Sequence, residues 1–129
     1  MPNLILLFNH CLTKAQELDA HLSLRVESII EPPPDIGTLW AQVPPDIDDL
    51  GTYLEPIFLW LESEARPGDY VLVQGEFGAT WLAVQEAFRA NMIPVYSTTR
   101  RDAMEEHMFD GRVETRHIFS HVRYRRYST

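Results

Sequence analysis

Leu4–Phe8 is an unbroken apolar run, the pattern of a parallel strand buried on both faces. Thr13 follows as a helix N-cap, with Gln16 three residues on as its capping-box partner. Ala15, Leu18 and Leu22 predict the apolar stripe of this first helix. A second short strand is expected at Val26–Ile30, stopped by Pro32-Pro33-Pro34. Residues 31–46 read as a proline-rich connection, too long for an idle loop in a small domain. Leu50, Tyr53, Leu54, Ile57, Phe58 and Leu61 recur at helical spacing; Pro56 within them either marks a regular helix beginning near Glu55 or a kink.

Arg66-Pro67-Gly68-Asp69 is a turn signal, and Tyr70–Gln74 is the third strand. Gly75–Thr80 is a glycine-bearing turn opening a helix that carries Trp81, Val84 and Phe88 towards the core, with Asn91 closing it. Ile93–Ser97 is expected as the fourth strand, and residues 101–108 as a further helical stretch ending at the turn Asp110-Gly111. Residues 112–127 alternate as one or two strands. Ile118, Val122 and Tyr124 share one parity, while His117, His121, Arg123 and Arg125 form a polar, basic face. Strands alternating with helices predict a single α/β domain over residues 1–129. Its expected form is Rossmann-like, with a mostly parallel central sheet and a C-terminal strand or hairpin.

A chain of 129 residues with 45% hydrophobic and 23% charged residues has an ordinary globular composition and can bury a core without staples. No apolar run reaches the roughly 18 residues of a membrane span, so no membrane partner is expected. The opening MPNLILLF lacks a basic region and reads as a strand rather than a signal peptide. The single cysteine, Cys11, cannot pair within the chain, which fits a reducing, cytoplasmic setting.

The net charge is −8, yet seven of the ten arginines fall in residues 100–129. A globally acidic chain is not expected to bind long nucleic acid. Arginines converging on one pocket suit a small polyphosphate instead. The plainer alternative is an acidic surface with a basic tail.

In parallel sheets ligands bind outside the carboxyl ends of the strands. Three polar segments are expected there. Asn9-His10 offers a group for proton transfer and a side-chain donor; the alternative is a surface histidine beside a helix-initiating asparagine. Gly75–Thr80 offers backbone amides at a helix N-terminus, although Glu76 would repel phosphate unless it points away. It matches neither the Walker A loop nor the dinucleotide fingerprint, and a plain strand–helix turn would need the same glycines. Ser97-Thr98-Thr99-Arg100-Arg101 combines hydroxyls and guanidiniums, a phosphodiester cradle or else an N-cap run with solvated arginines. His117 and His121 with Arg123 and Arg125 could line a polyanion site, or form a solvated strand face. His117 and His121 have a metal-ligand spacing for a helix, but on a strand they lie apart, so no metal is expected. Asp46, Asp48 and Asp49 read as helix N-terminal charges, and Cys11 as a small filler beside the site.

Four blocks carry a resemblance. They are Phe8-Asn9-His10 with Leu12-Thr13 and Gln16; Asp69–Thr80, containing Gln74-Gly75-Glu76-Phe77-Gly78-Ala79-Thr80; Ile93–Arg101, containing Tyr96-Ser97-Thr98-Thr99; and Phe119–Arg125. Together the chain resembles the Csx-twenty family of CRISPR-associated proteins. The resemblance implies a small CARF-like domain, a homodimer, and a ring nuclease that binds and cleaves cyclic tetra-adenylate in type III CRISPR immunity without a metal or other cofactor. On that expectation His10 transfers protons, with His121 in reserve, and Arg100 stabilises phosphate charge. The ligand would be held by Asn9, Thr13, Gln74, Gly75, Phe77, Gly78, Thr80, Ser97, Thr98, Thr99, Arg101, Arg123 and Arg125. The alternatives are a binding protein that sequesters the messenger and a structural partner of the CRISPR effector.

Overall fold

A computed structural model defines the backbone of residues 1–129 and every side chain except those of Met104 and His117. The elements run β1 (Leu4–Phe8), α1 (Lys14–Asp19) continued by a π-helical turn at Ala20–Leu24, β2 (Ile29–Ile30), α2 (Pro34–Ala41), α3 (Leu50–Glu64), β3 (Tyr70–Gln74), α4 (Phe77–Arg89), β4 (Ile93–His107) and β5 (Val113–Arg126). The sheet order is β2-β1-β3-β4-β5. The first four strands are parallel and β5 is antiparallel to β4. The protein is therefore α/β with a mostly parallel sheet.

The two sheet faces are covered unequally. Ile5, Leu7, Val71 and Val73 point to one face and pack against Ile36 and Trp40 of α2, Leu54, Ile57 and Leu61 of α3, and Ala79, Ala83, Val84 and Ala87 of α4. Leu4, Leu6, Leu72 and Val95 point to the other face and meet only Ala20, Val26 and Tyr124 among fully buried side chains. Asp49 caps α3 by accepting from the Thr52 amide at 3.1 Å, and the helix runs through Pro56. Asn91 at φ 59° closes α4, as its sequence position predicts.

Several expectations need correction. The first helix buries Gln16 and Ala20, while Leu18 and Leu22 are 60% and 68% exposed. Polar bonds decide its orientation: Gln16 Nε2 donates to Ser97 Oγ at 3.3 Å, and the Tyr124 hydroxyl donates to the Gln16 carbonyl at 2.9 Å. These bonds turn the Gln16 side of the helix to the sheet. The second strand shrinks to Ile29–Ile30, and the proline-rich connection contains α2, begun by Pro34 at its first turn. Trp81 is exposed, because the small residues of α4 face the sheet and the tryptophan does not fit that narrow contact.

The largest difference is at residues 101–108. No helix forms there; β4 runs on to His107 and β5 pairs with it back from Val113. β3 pairs with β4 only as far as Leu72↔Val95. Beyond that point β4 and β5 form a two-stranded arm leaving the carboxyl edge of the sheet. From Thr99 to His107 it extends about 27 Å at strand rise.

A bulge marks the root of the arm. Thr98 faces Arg123 and Thr99 faces His121, so Val122 is surplus. The extra residue corrects the expected parity of β5. His121 and Tyr124, three apart, both turn to the α1 side of the sheet, while Val122 is exposed. Thr98 Oγ1 staples the bulge, donating to the Arg123 carbonyl at 3.0 Å and accepting from the Arg123 amide at 3.2 Å.

Candidate functional site at the carboxyl edge of the sheet

The order β2-β1-β3 means that connections leave β1 and β3 towards opposite sides of the sheet. In open α/β sheets the carboxyl ends at such a reversal are the usual ligand position. Asn9-His10 leaves β1 and Gln74-Gly75 leaves β3 at this point. Strand β4 is the next neighbour, so the backbones of the β1 and β4 tips stand roughly 10 Å apart across β3. The three predicted segments share one edge of the sheet.

Their side chains have different duties. His10 and Asn9 are exposed, and among the described residues His10 makes no side-chain hydrogen bond. Its ring meets Phe8 edge-on at 5.5 Å. Asn9, His10, Cys11 and Glu31 line a concavity of about 250 Å³ between the β1 tip and α2. Cys11, expected as a small filler beside the site, is exposed in the wall of this concavity. Thr13 is committed to the helix: its Oγ1 accepts from the Gln16 amide and its own amide donates to Gln16 Oε1.

Gly75 is required by Trp40. A Cβ at Gly75 would lie 2.8–2.9 Å from the indole, whose Nε1 donates to the Gln74 carbonyl at 3.0 Å. Protein therefore fills the space below this turn. At the start of α4 the Glu76 carboxylate accepts from the Gly78 amide at 2.5 Å. The helix N-terminus thus already holds an anion, its own. Gly78 lies close to Leu50, Phe77 is 94% exposed, and Thr80 Oγ1 is buried without a hydrogen-bond partner. Gln74 Oε1 accepts from the Ser97 amide at 2.8 Å, tying the β3 and β4 tips together.

Ser97 and His121 belong to a buried relay that single residues in the sequence did not reveal. Ser97 Oγ lies 2.5 Å from His121 Nδ1, and His121 Nε2 lies 2.6 Å from Asp19 Oδ2. Ser97 is buried and the His121 side chain is 4% exposed. Burial pushes the Asp19 carboxyl up. Hydrogen bonds from Ser23 and His121, with the charges of His121 and Arg123, more than offset this and hold it below the usual carboxylate range. An ionised Asp19 accepts a proton from Nε2 of the imidazole, and Ser97 Oγ, which faces Nδ1, also accepts from Gln16. Burial, with the charges of Asp19 and Glu17, raises the Tyr124 phenol, which stays protonated as a donor. The order of residue types resembles a hydrolase triad, but the hydroxyl is enclosed and held by both Gln16 and His121.

Arg123 and Arg125 do not join the strand tips. With Asp19, Tyr70 and Arg126 they line a concavity of about 610 Å³ between the π-helical turn and β5, and Arg125 donates to the Tyr96 hydroxyl at 3.0 Å. Arg100 and Arg101 are exposed on the arm; Arg101 sits 5.8 Å from the Phe119 ring centre. The side chain of His117 lies outside the described residues. Among the described residues, no three His, Cys, Asp or Glu side chains converge as a metal-ligand set, and no helix is long and apolar enough to cross a membrane.

A family model described as "Uncharacterized protein MJ1673 family" matches residues 2–125. The chain belongs to the MJ1673 family. It is 46% identical over 128 residues to "Uncharacterized protein MJ1673" of Methanocaldococcus jannaschii, covering 99% of this chain and 98% of that protein. No solved structure matches. The match spans residues 2–125, the part of this chain that holds the strand tips, the buried relay and the arm.

Proposed function

We propose that this member of the MJ1673 family is a metal-independent ring nuclease that binds cyclic tetra-adenylate at the carboxyl edge of the sheet. The carrying observation is His10 at the β1 tip, exposed and, among the described residues, without a side-chain hydrogen bond, on the same sheet edge as the arginine-bearing root of the arm two strands along. The strand order, with its reversal between β1 and β3, supports a Rossmann-like, CARF-like reading of the domain, and the sequence resemblance supplies the substrate.

In the proposed reaction a ribose 2′-oxygen attacks the adjacent phosphorus in line. The phosphorus–5′-oxygen bond breaks, and the 2′-hydroxyl proton ends on the departing 5′-oxygen. A linear oligoadenylate with a 2′,3′-cyclic phosphate results, and no external water is consumed. The protein aligns the three reacting atoms and stabilises the phosphate oxygens. His10 moves the proton. Arg100, on the arm root, answers the phosphate charge, and Asn9 contacts ribose or base. His121 loses its reserve role, since both ring nitrogens are engaged in the relay. Ser97 and Thr98 act in the scaffold rather than on phosphate.

Radiolabelled ring incubated with the protein in EDTA should be converted to linear product. His10→Ala should slow conversion by at least about 100-fold with binding largely kept. Wild-type rates in that variant remove His10 from the reaction. One observation favours a second reading: the concavity that His10 lines also holds Glu31, whose carboxylate would repel a phosphate brought there for cleavage. Tight binding with an intact ring after prolonged incubation would make the protein a messenger-sequestering module.

A further inference from the structure

The outer edge of β4 is unpaired from the point where β3 ends. β3 reaches Val95 in register, and Gln74 covers Ser97 through its side chain. From Thr99 to His107 that edge faces no other strand of the chain. Long, unpaired edges are templates for another strand, and proteins usually protect them with charge, proline or bulges.

The charge order along this edge is self-complementary. Residues 99–107 read Thr-Arg-Arg-Asp-Ala-Met-Glu-Glu-His. An antiparallel second copy centred on Ala103 sets Arg100 against the partner's Glu106, Arg101 against the partner's Glu105, and Thr99 against the partner's His107. Each matched pair has the same parity, so the opposed charges fall on the same side of the ribbon. Ala103 is also the midpoint of the arm strand between Thr99, just past the bulge, and His107, where β4 ends.

The isolated arm leaves its charges poorly matched. Glu106 and Glu114 oppose one another across β4 and β5, and like charges in that position repel. Arg116, 3.3 Å from Glu106, answers only that one of the two. Among the described residues, Arg100 and Arg101 have no carboxylate partner within salt-bridge distance. The arm thus carries spare cations at its root and spare anions near its tip. The other edge, on β5, offers no such match: Glu114 stands alone against Arg116, Arg123, Arg125 and Arg126.

We propose that two copies of this protein dimerise by antiparallel pairing of their β4 edges about Ala103, giving a four-stranded ribbon β5-β4-β4-β5. The pairing makes the carboxyl edges of the two sheets face each other across the arm, about 27 Å apart. Each arm tip, with fully exposed Phe109, reaches the root of the partner's arm, on the sheet edge where α4 starts with exposed Phe77. The interface is derived from strand edge and charge, and stands whether or not the protein cleaves a nucleotide.

Sedimentation of the full chain at tens of micromolar should give a dimer. R100E/R101E and E105R/E106R should each weaken self-association by at least about 100-fold, and an equimolar mixture of the two should restore a dimer. Register is read separately. Opposed Cβ atoms in such a pair lie about 4.5–5.5 Å apart, close enough for a disulfide with slight adjustment. Ala103→Cys with Cys11→Ser should therefore form a covalent dimer under mild oxidation, and Thr99→Cys with Cys11→Ser should not. A wild-type monomer, a dimer indifferent to both charge reversals, or equal cross-linking at positions 99 and 103 would overturn the proposal. A charge-reversed variant that fails to fold leaves the cross-linking pair to decide. All these measurements omit nucleotide, so an inactive but correctly paired dimer would count against the nuclease alone.

Discussion

At the scale of single residues, the carboxyl edge combines fixed scaffold with a few unengaged side chains. Gly75 belongs to the scaffold. Its missing Cβ makes room for the Trp40 indole, so Gly75→Ala should cost about 1–3 kcal/mol of stability in chemical denaturation, as overpacking does. Asp19 belongs there too. Its folded-state carboxyl is held below the ordinary value, so the stability it contributes is present above the unfolded value near pH 4, and is lost as pH falls through the depressed folded value. Asp19→Asn should therefore cost about 1–3 kcal/mol at neutral pH, as the loss of a charged hydrogen bond does. Denaturation across a pH series should show the gap to wild type closing below about pH 4. A gap independent of pH would deny the carboxylate that role. His10 contrasts with both, having an exposed ring and no internal hydrogen bond, and its replacement should leave stability nearly unchanged.

At the scale of elements, the chain's own pattern made some features legible and concealed others. β1, β3, the Thr13 cap, the Asn91 stop and the long helix through Leu54 and Ile57 could all be read from it, since each is specified by local spacing or a local hydrogen bond. The outer half of β4 could not. Arg-Asp-Ala-Met-Glu-Glu-His is composed largely of good helix formers, and only its pairing with residues 113–120 holds it extended. The orientation of α1 was hidden for a related reason. Leu18 and Leu22 have helical spacing, but the bonds from Gln16 to Ser97 and from Tyr124 to Gln16 span 81 and 108 residues of sequence. The Ser97–His121–Asp19 relay is likewise assembled from three distant elements. Among the described residues, no side chain from Arg100 to Ser120 is buried, so replacing residues 100–120 by a short turn should leave the rest folded. The circular dichroism melting point should move by less than about 5 °C, since exposed segments contribute little to stability.

At the scale of the whole molecule, charge is segregated. A net −8 is spread over a chain whose arginines gather in the arm and β5. Long duplex DNA or RNA should therefore show no retardation at physiological salt, because overall repulsion outweighs a few local contacts. A retarded duplex would mean that the basic strand acts as a nucleic-acid surface. The common placement of the Asn9, Gln74 and Ser97 segments followed from strand alternation alone, whereas their division between open edge and enclosed scaffold required the side-chain bonds.

The surplus Val122 sets the phase between body and arm. Removing that one residue would let β5 pair without interruption, and every side chain beyond it would roll over by half a pleat. His121 could no longer meet Asp19 while the ladder stayed in step, so the chain would have to choose between its relay and its regular pairing. A single-codon deletion there would therefore reorient a whole appendage, a far larger change than any substitution at the same position.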